Sequence, residues 1–417
     1  MHSILKQRTV ISWSLYELAE TALHALYFTF FWPLYIQEHL GGTEFHVGLA
    51  VSASLLAVAF LVPFIGAFTD AWGRRMPILI ISTLLTAVAV ALTGYVELSG
   101  ALILGACARV LLSIDDDLYS AKLPDIAPKN AIGLISGLGV GVGYIGTIIA
   151  LAVAYPILEH FGWETEAAIR AMFWQAALFI IIFSLPLFFL VKDPPGRGTV
   201  NTPTLKTLSA KAVHEMKKTV HIFKRFNALP RFLLASFIYN DAVHTTLIFF
   251  VLFSREVVGV SIQEFLFAFA VMAVGSAFGA FGFGKLSDST GPKYALSIAL
   301  IGWVCVIVFL LFDPSYSDLL LAGTVGGVML GGIWTLNRHV LVSLAPLNKM
   351  GELMGIEGFI RRSSGVVGSI TVGAVITWVG YTAGLLLILF LFLAGLALLQ
   401  LMPTIPAVQR DEGRLDL

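Results

Sequence analysis

The sequence has few of the residues that soluble proteins place at their surface. Only 12% of its 417 residues are charged, about half the share of a typical soluble domain. In contrast, 58% are hydrophobic and the mean hydropathy is +0.88. This composition excludes a disordered chain and a soluble globular enzyme. A membrane-spanning helix uses about 20 apolar residues, so the apolar content fits about a dozen spans in a lipid bilayer.

The sequence also lacks a net charge, paired cysteines and catalytic motifs, and each absence argues against a class of function. The 26 basic residues balance the 26 acidic ones, which gives no sign of a nucleic-acid partner. Cys107 and Cys305 lie in apolar runs in different halves of the chain and are interpreted as small core residues. The sequence has no phosphate-binding Walker loop, no nucleophile elbow and no HExxH motif. We therefore predict neither an enzyme nor a metal or cofactor site, and no transport driven by ATP hydrolysis within this chain.

Apolar runs separated by short polar or Pro/Gly turns predict an all-α polytopic protein with twelve transmembrane helices in two six-helix bundles related by a pseudo-two-fold axis. The predicted spans are 10–36, 45–68, 76–96, 101–121, 131–157, 168–191, 231–253, 264–286, 293–312, 318–344, 353–377 and 380–402. The domains expected are an N-terminal bundle at 1–191, a linker at 192–230 and a C-terminal bundle at 231–417.

Lysines and arginines concentrate in the loops on one side of these spans, which by the positive-inside rule places both termini in the cytoplasm. The linker carries an excess of basic residues and an apolar residue at each helical turn from Leu205 to Phe223. This pattern is typical of an amphipathic helix on an anionic membrane surface. A solvated basic linker is the alternative.

The loop that follows the second span of the first half is repeated after the second span of the second half. Both loops keep the same spacing of glycine, aspartate, glycine and base, formed by Gly66, Asp70, Gly73, Arg74 and Arg75 in the first half and by Gly284, Asp288, Gly291 and Lys293 in the second. Internal repeats of this kind are typical of secondary transporters. The glycines permit tight turns, and the charged residues can contact neighbouring helix ends. We expect these loops to act as cytoplasmic gates.

These repeated loops resemble the signature of the major facilitator superfamily, and Arg109 resembles that superfamily's membrane-embedded arginine. Finer features are similar to the vacuolar, autophagy-related effluxers and their uncharacterised prokaryotic relatives: Tyr16-Glu17, Leu123 to Ala127, the glycine run Ser136 to Gly146, Tyr239-Asn240-Asp241, and Asn337-Arg338 followed by Pro346. The resemblance implies two bundles around a central cavity and, from the fungal members, an association with amino-acid efflux.

Polar residues inside spans are functional candidates because a charge at the bilayer centre costs ~2.5–3.5 kcal/mol or more. In the first half these are Tyr16, Glu17, Glu20, His24, Arg109 and Asp116. Glu20 and Arg109 fall at a similar depth and are expected to pair, either at the solute site or merely as a contact between two helices. The run Asp115 to Asp117 is either functional or a hydrated helix end.

The second half contributes Tyr239, Asn240, Asp241, His244, Asn337 and Arg338. Acids and a base from each half suit an amphoteric solute, and they equally suit proton coupling. Asp241 is the favoured proton-sensitive or amine-binding group. A dinucleotide-like pattern, Gly141 to Gly146, lies within an apolar helix and is interpreted as a helix-packing surface.

The predicted function is a monomeric secondary transporter that moves a small polar or amphoteric solute, amino acids first, with protons as a second partner. The expected location is the inner membrane of a prokaryote or the vacuolar membrane of a fungus. An exporter of drugs or lipid-like amphiphiles is the alternative within the same class. A membrane receptor or scaffold without transport activity is the alternative from another class.

Overall fold

The computed structural model describes residues 2–126, 132–193, 228–344, 360 and 363–402, and its regular elements in these ranges are helices. Helix α1 runs in consecutive pieces, His2–Leu23, His24–Phe31, Trp32–Leu34 and Tyr35–His39. The longer helices that follow are α2 (Glu44–Trp72), α3 (Met76–Leu92), α4 (Leu98–Ser120), α5 (Ile132–Phe161), α6 (Glu166–Leu190), α7 (Ala228–Glu256), α8 (Ile262–Thr290), α9 (Pro292–Leu310), α10 (Tyr316–Leu344), α11 (Val366–Val379) and α12 (Tyr381–Gln400). Short helical turns lie at Thr93–Tyr95 and Leu123–Ile126.

Ten of these helices are long and apolar enough to cross a membrane. The exceptions are α1, which carries polar residues in its first turns, and α11, which has 14 residues. Helix α11 begins at Val366, and Gly365 before it has φ +86°. The predicted start of this span near residue 353 lies outside the described residues. The predicted amphipathic helix of the linker lies in residues 194–227, outside the described residues.

Helix α1 departs from regular α-helical geometry in its second half. The pieces His24–Phe31 and Tyr35–His39 are π-helical, with wider turns than an α-helix. Pro33 lies between them and lacks the N–H that an α-helical turn requires. Because the wider turns change the direction in which successive side chains point, residues after His24 do not follow the 100° spacing assumed from the sequence.

Each half of the chain packs mainly on itself. In the first half α1 packs on α5 and α6, and α4 packs on α2 and α3. In the second half α8 packs on α10, and α12 packs on α7 and α9. The halves meet along α2 and α11, along α5 and α8, and where the π-helical part of α1 contacts α7. Space between the halves is therefore bordered by α1 and α7.

The glycine run of α5 brings that helix close to α1, which confirms the packing interpretation of the run. A Cβ built on Gly143 would lie 2.6 Å from Oγ1 of Thr21, and one built on Gly146 would lie 2.3 Å from the carbonyl oxygen of Leu18. These separations are too short for any side chain. Glycine thus lets the two backbones approach in the way that small residues do in membrane bundles.

Candidate functional site

A chain of buried hydrogen bonds connects α7 and α10 in the second half. The Tyr239 hydroxyl donates to Oδ1 of Asn337 at 2.6 Å, and Nδ2 of Asn337 lies 3.4 Å from Oδ1 of Asn240. Nδ2 of Asn240 donates in turn to the backbone oxygen of Ser236 at 2.8 Å. All three predicted residues are buried. The structure brings them together as a bridge between two helices, and the side chain of Arg338 lies outside the described residues.

Asp241 of α7 lies against the beginning of α11. Its Oδ1 accepts a hydrogen bond of 3.1 Å from the backbone N–H of Gly368, and its carboxylate also interacts with the backbone of Gly365. The first N–H groups of a helix have no partner within the helix, and they favour a negative charge. Asp241, 3% exposed, therefore holds the N-terminus of α11 against α7, a role that the sequence did not suggest.

Arg109 in α4 contacts an aromatic ring of α1. Its guanidinium carbon lies 4.3 Å from the ring centroid of Phe28, and the side chain is 9% exposed. Phe28 lies in the π-helical piece of α1, whereas Glu20, the predicted partner, lies in the α-helical piece before it. The ion pair of Arg109 with Glu20 stays a prediction.

His24 connects this region to the second half. Its ring packs on Phe28 at 5.3 Å between centroids, and it lies within electrostatic range of Arg109 and of His244 in α7. His24 is nevertheless exposed. Because it has a neighbour in the opposite half, its exposed surface faces the space between the halves. We define His24, Arg109 and His244 as the central site, with Glu17 and Glu20 half-buried earlier on the same helix as His24.

A second polar cluster in the first half surrounds Asp115. This carboxylate is 0% exposed. It is hydrogen-bonded to Ser82, and its Oδ2 lies 3.2 Å from the Thr83 hydroxyl. The predicted residue Tyr16 is also 0% exposed, with its hydroxyl 3.1 Å from that of Thr83 and within hydrogen-bonding range of Asp115.

The sequence analysis selected Asp116 from this run, because Asp116 shares a helical face with Arg109. In the structure Asp116 is half-buried and lies near Ser120 in the last turn of α4, at 3.4 Å. The buried member of the run is Asp115. A usable signal was present in the sequence, since Ser82 and Thr83 are adjacent hydroxyl residues at a similar depth on the preceding helix.

The first repeated loop turns tightly at Gly73, which has φ +73°, a left-handed conformation that favours glycine. Arg75 donates to the carbonyl oxygen of Ala121 at 2.7 Å, at the end of α4. The N-terminus of α3 is held by Asp193, which accepts the N–H of Met76 at 3.1 Å and pairs with buried Lys122. Asp193 is a residue that sequence reasoning missed.

The remaining loop residues differ in their contacts. Arg74 is exposed, 5.9 Å from the ring centroid of Trp72, and nothing is described of the Asp70 side chain. In the second loop Gly291 has φ +91°, Asp288 is exposed, and Lys293 donates to the Met402 carbonyl oxygen just after the end of α12. Each loop thus holds a basic side chain at the end of another helix of its own half.

Ion pairs join the halves at the opposite end of the molecule. Arg255, near the end of α7, donates to Glu38 at 2.7 Å and to Glu164 at 2.9 Å, and both acids belong to the first half. In the same region, Nε2 of Gln37 in the first half donates to Glu256 in the second half at 3.1 Å. No pattern in the sequence indicates that these residues pair across the halves.

Helices α2 and α11 form a second contact at this end. Buried Glu44 accepts hydrogen bonds from Tyr381 at 2.7 Å and from Thr377 at 3.2 Å. A Cβ on Gly48 would lie 2.1 Å from the carbonyl oxygen of Ser369, so the two backbones touch. We call the contacts of Arg255 and Glu44 the outer seal. The predicted orientation, with both termini in the cytoplasm, makes this end the extracytoplasmic one.

The comparisons with known proteins agree with this fold. The model of the Major Facilitator Superfamily matches residues 21–369 and 233–415. Similar relatives include the uncharacterized MFS-type transporter YxiO of Bacillus subtilis, 23% identical over 97% of each chain. The multidrug resistance protein MdtG of Salmonella arizonae is 25% identical over 85% of each chain. Autophagy-related protein 22-1 of Aspergillus niger is 23% identical over 68% of this chain and 48% of its own length.

Solved structures share the fold at low sequence identity. The nucleoside transporter NupG superposes with a TM-score of 0.70 at 15% identity, covering 94% of this chain and 97% of its own. A bacterial homolog of the human lysosomal transporter Spinster gives a TM-score of 0.64 at 16% identity, covering 95% and 94%. The family match covers most of the chain, so this multi-pass integral membrane protein belongs to the Major Facilitator Superfamily, whose members carry small-molecule solutes.

Proposed function

We propose that this protein is a secondary active transporter that works by alternating access and moves a small polar or amphoteric solute, with amino acids as the first class to test. The observation that supports this proposal best is the central site. His24 and Arg109 of the first half lie near His244 of the second, between halves that are held together at one end. A solute bound there would contact both halves and would respond to their relative movement.

The chemistry of the central site suits a carboxylate. Arg109 carries a planar guanidinium that can bind a carboxylate through two parallel hydrogen bonds. The ring of Phe28 lies 4.3 Å from the guanidinium carbon. Because this ring has no oxygen or nitrogen acceptor, we assign the guanidinium N–H groups to the ligand. Glu17 and Glu20, closer to the start of α1, are the acids that we assign to an amine on the same solute. An amino acid combines the two groups at a suitable separation.

The similarity to autophagy-related protein 22-1 is the reason to test amino acids first, and the similarity to MdtG keeps amphiphilic drugs as the second class. Solute coupling to protons is part of the proposal because the core holds buried acids, Asp115 and Asp241. In this conformation the backbone N–H of Gly368 supports the ionised form of Asp241. We therefore assign Asp241 to the movement of α11 and not to direct contact with the solute.

A binding screen followed by exchange tests the function. Purified protein should be stabilised against heat by one class among amino acids, nucleosides, sugars and hydrophobic cations. The stabilising compound, in radiolabelled form, should then show counterflow in proteoliposomes. Arg109→Gln should abolish counterflow of carboxylate-bearing compounds.

Arg170→Gln is the matched control, since Arg170 pairs with Glu166 within the first half and lies outside the central site. Stabilisation by hydrophobic cations alone would favour the drug exporter. Counterflow that survives Arg109→Gln would contradict the assigned carboxylate site.

A further inference from the structure

Asp115 is buried more completely than any other acid described in the core, and only uncharged groups hold it. Ser82 and Thr83 of α3 contribute hydroxyls, and Tyr16 of α1 contributes a third. None of the three groups carries a positive charge. A lone ionised carboxylate transferred from water into such surroundings is very costly, and it generally takes up a proton or a cation instead.

The charged groups around this cluster do not compensate a charge on Asp115. On its own helix the neighbour is Asp116, which has the same sign, and α3 has no titratable residue between Met76 and Leu92. From α1 come Tyr16 itself and the half-buried acids Glu17 and Glu20, and Tyr119, one turn after Asp115 on α4, stacks on Tyr16. Arg109, six residues earlier on α4, lies on the ring of Phe28. The surroundings of Asp115 are therefore neutral or negative within the described residues.

The positions of the hydroxyls leave a place for one more hydrogen. Oγ of Ser82 lies 2.6 Å from the carbonyl oxygen of Ile78, and Oγ1 of Thr83 lies 2.7 Å from that of Leu79. Each hydroxyl has one hydrogen but two acceptors within reach, the carbonyl oxygen and a carboxylate oxygen of Asp115, so it cannot donate to both at once. When a hydroxyl donates to its carbonyl oxygen, Asp115 faces the lone pairs of that hydroxyl. A protonated Asp115 supplies the hydrogen that its contact with Ser82 requires.

We propose that Asp115 is a proton-binding site, separate from the central site and protonated in this conformation. In the binding step a hydronium ion gives a proton to the carboxylate: one O–H bond of the hydronium breaks, an O–H bond forms on Asp115, a water molecule is released, and the negative charge of Asp115 disappears. Asp115 lies five residues before the end of α4, which is ~8 Å along the helix, so the predicted cytoplasmic side is the near source of protons.

The proton affinity of Asp115 also depends on the position of α1, because Tyr16 of that helix contacts the cluster. The Tyr16 hydroxyl, 3.1 Å from that of Thr83, is the contact that connects the cluster to the helix bearing His24 and Glu20. Withdrawal of α1 from α3 would remove this hydroxyl from Asp115 and alter its affinity for a proton. This second step rests on the proposed alternating access, whereas the protonation of Asp115 does not.

Infrared spectroscopy of the whole protein tests the protonation directly. Protein labelled with ¹³C at the aspartate carboxyl carbon distinguishes a protonated aspartic acid from glutamic acid and from lipid esters, because the label shifts the carbonyl stretching band. We expect a labelled carboxylic-acid band at neutral pH in the wild type. Asp115→Asn should remove this band. Asp116→Asn and Asp241→Asn are the matched controls and should keep it.

Three results would overturn the proposal: no carboxylic-acid band at neutral pH, a band that survives Asp115→Asn, or a band that appears only when Na⁺ is removed, which would identify a sodium site. If Asp115→Asn does not fold, the double variant Ser82→Ala with Thr83→Val provides a second test. It should shift the labelled carboxylic-acid band, and an unshifted band would also overturn the proposal. The readout needs no solute, so failure of the transport proposal would leave this result standing.

Discussion

The two buried aspartates of the core have the same side chain and opposite surroundings. Asp115 is held by side-chain hydroxyls from helices of its own half. Asp241 is held by backbone N–H groups at the start of α11. Backbone N–H groups at a helix N-terminus can only donate and favour an anion, whereas hydroxyls can donate or accept. Burial alone therefore does not define a proton site, because the partner groups decide whether the protonated or the ionised carboxyl is the more stable.

The largest expected effect comes from removing Asp241. Asp241→Ala leaves the N–H groups at the start of α11 buried without their acceptor, and the expected loss is about 1–3 kcal/mol in the free energy of unfolding. Asp241→Asn should lose less, since an amide oxygen still accepts from Gly368. Asp115→Asn should remain close to the wild type because it replaces a neutral acid by a neutral amide. Thermal unfolding in detergent measures all three, and equal losses in the two Asn variants would refute the comparison.

The next effect concerns the space beside Asp241. A Cβ on Gly368 would lie 2.6 Å from Oδ1 of Asp241 and 2.6 Å from Oγ1 of Thr245. Gly368→Ala should therefore push α11 away from α7, lower the melting temperature and reduce solute exchange. Gly282→Ala in α8 is the matched control, because no described atom lies within 4 Å of its built Cβ. A wild-type melting temperature for Gly368→Ala would show that Asp241 is not confined as described.

A tyrosine from each half gives a smaller and more direct comparison. Tyr239→Phe removes the hydrogen bond of 2.6 Å to buried Asn337 and should cost about 1–2 kcal/mol. Tyr16→Phe should cost less, since Thr83 keeps its contact with the Leu79 carbonyl oxygen. Tyr16→Phe should instead shift the infrared band of protonated Asp115. Melting curves and spectra of the two variants separate the effects, and the reverse order of stability would contradict the assignment.

The smallest effect is expected at the outer seal. The partners of Arg255 are partly exposed, and such ion pairs contribute about 1 kcal/mol or less. Arg255→Gln should therefore move the conformational equilibrium towards the outward-facing state by at most about five-fold. Arg170→Gln is the control, because the Arg170–Glu166 pair lies within one half.

Spin-label distances measure this shift. Labels at Ser99→Cys and Ser317→Cys, exposed positions at the starts of α4 and α10, report the separation of the halves at this end once the two native cysteines are replaced. A longer-distance population that grows in Arg255→Gln and not in Arg170→Gln supports the outer seal. Identical distance distributions in both variants would show that Arg255 does not hold the halves together.

The sequence predicted most members of the site but few of their partners. Tyr239, Asn240 and Asn337 were selected and are found in one hydrogen-bonded chain. Arg109 was selected too, but its contact with Phe28 was not foreseen, because a regular helix was assumed where α1 is π-helical. Asp116 was selected where Asp115 is the buried residue, because position along a helix does not say which face another helix covers.

The sequence by itself determined the membrane location, the order of the spans and the internal repeat. Hydropathy and glycine spacing are properties of neighbouring residues, so they can be read along one chain. Only the tertiary structure decided which groups surround each buried charge. Asp241 and the N–H of Gly368 are 127 residues apart in sequence, and Arg255 meets Glu38 across the two halves. Such pairs depend on the rotation of each helix about its axis, on interruptions such as the one at Gly365, and on how the two halves meet. A local sequence pattern contains none of this information.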